Sequence, residues 1–190
     1  RSPVTVPARF TATRVTGVGN VAGGILANLL VTGDLKVTSK AITSDALKLT
    51  SDKLSSRLTL LVDLKTGRYD VGFAGELERY TIPGLGIVDV RTNLKFMPGL
   101  GGEGIILAGR GQAWVRRLDN KFLASLTQGL PQIETGLVRG ADGILRFNNL
   151  RLTAPGITLT GNGIRRADGT FQFEASGRQA RYGPIVRLLL

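Results

Sequence analysis

Apolar and polar residues alternate along most of this chain with the two-residue period of half-buried β-strands. From Ile25 the odd positions read Ile25, Ala27, Leu29, Val31, Gly33, Leu35 and Val37, with Asn28, Thr32, Asp34, Lys36 and Thr38 between them. The pattern returns on even positions (Leu54, Leu58, Leu60, Val62, Leu64), with Arg57, Thr59 and Asp63 opposite. Beyond a Lys65-Thr66-Gly67 turn, Tyr69, Val71, Phe73 and Leu77 share one face, while Arg68, Asp70, Glu76 and Glu78 share the other. Pro83, Gly84 and Gly86 mark a turn, after which Val88, Val90, Leu94 and Phe96 resume the alternation. Further strands are predicted over 105–115, 133–139, 144–152 and 185–190, together with a hairpin over 157–177 that turns at Ala167-Asp168-Gly169. One helix is predicted near Leu118, with Asp119 as N-cap, Phe122, Leu123 and Leu126 on one face, and Gly129-Leu130-Pro131 as the stop. The pattern predicts a single all-β segment over residues 1–190, with about ten to twelve long, mostly antiparallel strands and one short helix.

Composition narrows the chemistry. The 190 residues include neither cysteine nor histidine, which excludes disulfides, thiolate nucleophiles and every His-based triad or zinc site. Catalysis would have to rest on carboxylates, Lys or Tyr. The paired candidates are Glu76 with Glu78 and Glu103 with Glu134; the first two read as solvated strand positions, and no enzyme, cofactor or metal is expected. Gly17, Gly19 and Gly23 form GxGxxxG rather than the dinucleotide fingerprint and read as a turn. Lys and Arg outnumber Asp and Glu by 25 to 14, a formal charge of +11, which implies attraction to polyanions. The densest positives are Arg116-Arg117, Arg165-Arg166, Arg178 and Arg181. Only 6% of residues are aromatic, and Phe171 and Phe173 belong to the apolar alternation, so no nucleic-acid partner is expected. The most apolar run, 21–31, contains Asn28 and is about half the roughly 20 residues a membrane helix needs. Arg1 and Leu188-Leu189-Leu190 read as cut ends, and the expectation is a piece of a longer protein.

The unanswered question is what covers the apolar face. Two such faces bury each other in a β-sandwich at about 10 Å spacing. A single sheet curled into a trough would leave its face open to acyl chains, each buried methylene contributing about 0.8 kcal/mol. Gly161, Gly163 and Gly177 lie in phase with Ile157, Leu159 and Phe173, so the face thins there, as suits a sheet that bends.

Three stretches tilt the choice: GRYDVGFAGELERYTIPGLGIVDVRTNL, RLDNKFLASLTQGLPQIETGLVRGADG and LRLTAPGITLTGNGIRRADGTFQFEASGRQARYGP. With Tyr80 and Pro83-Gly84-Leu85-Gly86, Arg117-Leu118-Asp119-Asn120, Ala154-Pro155 and Asp168-Gly169 as the distinctive pieces, residues 67–184 resemble the YdbH-like proteins of Gram-negative envelopes. These belong to the wider AsmA-like group that includes TamB. The resemblance implies long strands curled into an open, β-taco-like trough in the periplasm, anchored to the inner membrane by a segment not in this chain. It implies conduction of phospholipid between inner and outer membranes, and no catalytic residues carry over. The expected groove wall is Ile25, Leu29, Val31, Leu58, Leu60, Val62, Val71, Phe73, Val88, Val90, Ile157, Leu159, Phe171 and Phe173. Basic residues near the rim would attract phosphate head groups, and the helix would cap or cover the trough. The expected partners are phospholipid acyl chains, the rest of the same protein, other envelope proteins, and further copies of the chain through open strand edges. The alternative is a structural or assembly module that acts by adding a β-strand to a partner.

Overall fold

The computed structural model describes residues 2–14, 27–82, 84–179 and 183–189; Ile25, Gly17, Gly19, Gly23, Pro83 and Arg181 lie outside these. Among the described residues period-2 alternation yields twelve strands: β1 (Val4–Arg14), β2 (Ala27–Val37), β3 (Ala41–Thr50), β4 (Leu54–Asp63), β5 (Tyr69–Ile82), β6 (Gly86–Pro98), β7 (Ile105–Leu118), β8 (Gln132–Arg139), β9 (Leu145–Thr153), β10 (Ile157–Arg165), β11 (Phe171–Gln179) and β12 (Gly183–Leu189). Each pairs antiparallel with the strand before and after it, and the sheet runs from β1 to β12 without closing. Among the described residues, one helix, α1 (Lys121–Thr127), and a single 3₁₀ turn at Leu100–Gly102 interrupt the meander.

Cross-strand partners point to the same side of a sheet, so the register shows which residues share a face. Leu47, Leu58, Phe73, Leu94, Gly109, Leu137, Phe147, Gly163 and Phe173 form one row of partners from β3 to β11. This is the inner face. The outer face carries the polar set, and burial follows the division: Ser55 is exposed, whereas its neighbour Ser56 is 4% exposed and donates to the Leu49 carbonyl at 3.0 Å.

Two strands go beyond those expected from the sequence. β1 is an edge strand in continuous register with β2, Pro7 and Arg9 falling on its outer positions, and β3 changes phase midway because Asp45 and Ala46 together oppose Thr59 in a bulge. A bulge bends its strand and sharpens the local twist. Two others are held by side chains of the facing strand. Glu78 and Arg79 bulge opposite Asp89, whose carboxylate accepts from the Arg79 N–H at 2.8 Å and from Arg116 Nε at 2.7 Å. Asn148 and Asn149 bulge opposite Asn162, whose side chain accepts from the Asn149 N–H at 3.0 Å.

The helix departs from expectation at its start. Asn120, not Asp119, is the N-cap, accepting from the Leu123 N–H at 3.0 Å, while Asp119 takes the Arg117 guanidinium at 2.8 and 3.1 Å. The carboxylate is the stronger partner for Arg117, which leaves the cap to the neutral amide. Phe122 is 69% exposed and does not share a packed face with Leu126. The helix ends at Gln128 in the left-handed conformation, and the Gly156 N–H donates to the Thr127 carbonyl at 2.7 Å, pinning the helix to the β9–β10 turn.

Candidate functional site: the apolar inner face

Apart from Ile25, every residue expected in the groove wall lies on the inner face: Leu29 and Val31 on β2, Leu58, Leu60 and Val62 on β4, Val71 and Phe73 on β5, Val88 and Val90 on β6, Ile157 and Leu159 on β10, Phe171 and Phe173 on β11. The register adds Leu94, Phe96, Leu107, Leu137, Leu145, Phe147 and Leu152 to the same surface. At about 4.8 Å per strand the face extends roughly 50 Å across the sheet.

It is a single layer. The accessible surface is 12426 Å², whereas a compact monomer of 20.2 kDa exposes about 8,800 Å². The sheet bends toward the inner side. A Cβ added at Gly161 would run into the backbone of Glu174 and Ala175, and one at Gly177 into the Thr158 carbonyl, so the adjacent strand rises over these glycines. The same holds for Gly109 against Asn93. Only a residue without a side chain permits that approach.

Shelter is graded along the strands. At the end carrying α1, the inner-face residues Leu54, Val88, Val115, Ile157 and Leu159 are buried. At the opposite end Val4 is 61%, Ile105 55% and Phe171 51% exposed. Leu126 of α1 packs with Ile157, Leu159 and Ala175, together with Leu152, Ala154 and Phe173. Ile157 and Leu159 therefore sit beneath the helix, while Leu58, Leu60, Val62, Val71 and Phe73 are half-buried. Rings fill the gaps that glycines leave: Phe73 lies over Gly75 and Phe173 over Gly163. Phe147, Phe171 and Phe173 form an aromatic group near the open end, with centroids 5.8 and 6.2 Å apart.

At that open end the inner row turns basic. Leu107, Arg139, Leu145, Arg165 and Phe171 are successive cross-strand partners, so two guanidinium groups stand at the lip of an apolar surface. Arg116 and Arg117 differ: both are bound to carboxylates, Asp89 and Asp119. Of the candidate acids, Glu76 pairs with Arg91 at 3.0 Å on the outer face, and Glu78 lies in a bulge. The carboxyls set below the usual range are structural. Asp89 is lowered first by the Arg79 N–H and then by Arg116, Asp63 by the Thr66 and Lys65 N–H groups, Asp142 by the Ile144 N–H, and Asp168 by the Thr170 side chain and N–H. Among the described residues there is no group of acidic side chains arranged to hold a metal, and no helix is long and apolar enough to cross a membrane.

Among the described residues, two open depressions on the outer face stand out. One, of about 740 Å³, is lined by Asn149, Arg151, Thr160 and Asn162 among others; the second, of about 750 Å³, by Lys48, Ser55, Arg57 and Arg91. The fold and the two faces define an open antiparallel β-meander, apolar within and polar without. The chain matches no family model, no curated protein and no solved structure.

Proposed function

We propose that the inner face carries the acyl chains of phospholipids and that the chain is a phospholipid-conducting segment of a bridge between inner and outer membranes, working in the periplasm. The observation that carries this reading is the unbroken apolar row from Leu47 to Phe173 on a single-layered sheet. An acyl chain laid on such a row is recognised by area alone, and successive strands offer near-equivalent positions, which suits movement along the face. Arg139 and Arg165 at the lip suit phosphate head groups, since guanidinium binds phosphate through paired hydrogen bonds. The resemblance to YdbH-like proteins points the same way. No reaction step belongs to this function.

Photo-crosslinking residues placed at Leu60 and Val71 test it, with Thr59 and Asp70 as outward-facing controls in the same strands. Irradiation in cells followed by mass spectrometry should yield phospholipid adducts at the inner positions only. Equal labelling on both faces, or none on the inner one, overturns the reading.

A second reading has an observation of its own. β1 is an open edge on which Val4, Val6 and Phe10 are exposed, and such an edge accepts a partner strand. If assembly by strand addition is the function, Thr11→Pro should abolish association with that partner in sedimentation experiments while leaving lipid labelling at Leu60 intact.

A further inference from the structure

The outer face carries a row of its own. Arg9, Thr32, Lys48, Arg57, Ala74, Asn93 and Arg110 are successive cross-strand partners from β1 to β7. The row contains four cations and no acid. All four cations are exposed, and among the described residues none of them makes an ion pair or a side-chain hydrogen bond. Their neighbours on the same face behave differently: Lys36 meets Asp45, Arg91 meets Glu76, Lys95 meets Asp70 and Arg116 meets Asp89. Lys48 and Arg57 stand directly opposite each other, an arrangement that costs stability because like charges repel across a strand pair. They also line the depression that spans β3 to β6.

We infer that this row binds a linear acidic polysaccharide laid across the strands. From Arg9 to Arg110 the charges are spaced at intervals of about 5 to 15 Å along a line of roughly 29 Å, which matches a chain of recurring carboxylates better than a single anion. Nucleic acid fits less well. Trp114 is the one aromatic side chain that the described strands place on the outer face, and the Arg91 guanidinium covers it at 5.5 Å, so no free ring is offered for base stacking. The row lies on the opposite side of the sheet from the apolar face, and the inference does not rest on lipid binding.

A fluorescein-labelled alginate oligomer, titrated against the whole chain by fluorescence polarisation, tests it. Binding should weaken with salt, and the double variant Lys48→Gln/Arg57→Gln should bind about tenfold more weakly, with the salt slope reduced by about one per cation removed. Lys36→Gln/Lys95→Gln removes the same charge from the same face and should change affinity less than about twofold. Equal losses in the two double variants would reduce the effect to net charge and overturn the proposal. Tighter binding of single-stranded DNA or of phosphatidylglycerol vesicles through Lys48 and Arg57 would also overturn it. Both pairs are exposed, so circular dichroism should show all variants folded.

Discussion

Away from the end that carries α1, the inner face over β4–β6 is half-buried: Leu58, Leu60, Val71, Phe73 and Leu94 remain partly open. At the α1 end of β9–β11 the same alternation of residues lies beneath the helix, and Ile157 and Leu159 are 2% and 6% exposed. The strand patterns of the two regions hardly differ. A seven-residue helix, whose Leu126 packs with Ile157 and Leu159, turns wall into core at that place. Alternation thus specifies which face is apolar, and the connections decide what that face does.

Charged substitutions separate the regions most sharply. Leu159→Asp should prevent folding, since a carboxylate placed under Leu126 loses its hydration at a cost of several kcal/mol. Leu60→Asp should fold, with native circular dichroism, yet lose lipid labelling along its strand. If Leu159→Asp yields a stable protein, the helix does not seal its region. Next in size is Gly161→Val, expected to cost about 2–3 kcal/mol in urea unfolding because its side chain meets backbone that cannot give way. Gly111→Ala, whose Cβ would meet the ends of two side chains, Leu137 at 3.3 Å and Thr92 at 3.7 Å, should cost less than about 1 kcal/mol. Asn120→Ala removes the helix cap and should cost about 1 kcal/mol. It should also loosen α1 enough for crosslinkers at Ile157 to begin labelling lipid, erasing part of the contrast.

Acid gives the smallest effect. The Asp89 carboxyl is held below its ordinary value in the folded state, so its contribution is complete above the unfolded value of about 3.9 and fades as pH falls through the folded one. Asp89→Asn should therefore narrow the loss of stability between neutral pH and about pH 3, measured by urea titration at each pH. Because Asp89 ties β5 and β7 together beside the half-buried region, Leu159 and its neighbours should keep their hydrogen-exchange protection in that variant.

Strand positions and the identity of the apolar face were legible because alternation survives wherever strands pair without interruption. β3 was not, because the extra residue at Asp45-Ala46 shifts its apolar set to the other parity, and nothing local in the sequence announces a bulge. The helix cap was misplaced because Asp119 and Asn120 are both good caps, and the choice depends on Arg117, which a local pattern does not weigh. Cover over Ile157 and Leu159 depends on a contact with Leu126 across some thirty positions of chain, beyond the reach of periodicity. The free cations of the outer row were invisible for a similar reason. Arg9, Lys48, Arg57 and Arg110 are far apart in sequence and come into line only through the register.

The strictly sequential strand order has a kinetic consequence. Each hairpin can dock on the one before it as the chain emerges, with no need to wait for a distant segment, so loop-closure entropy stays low for an all-β protein. Pulled from its two ends, such a sheet should come apart strand by strand, giving a sawtooth of small force peaks in place of one large rupture.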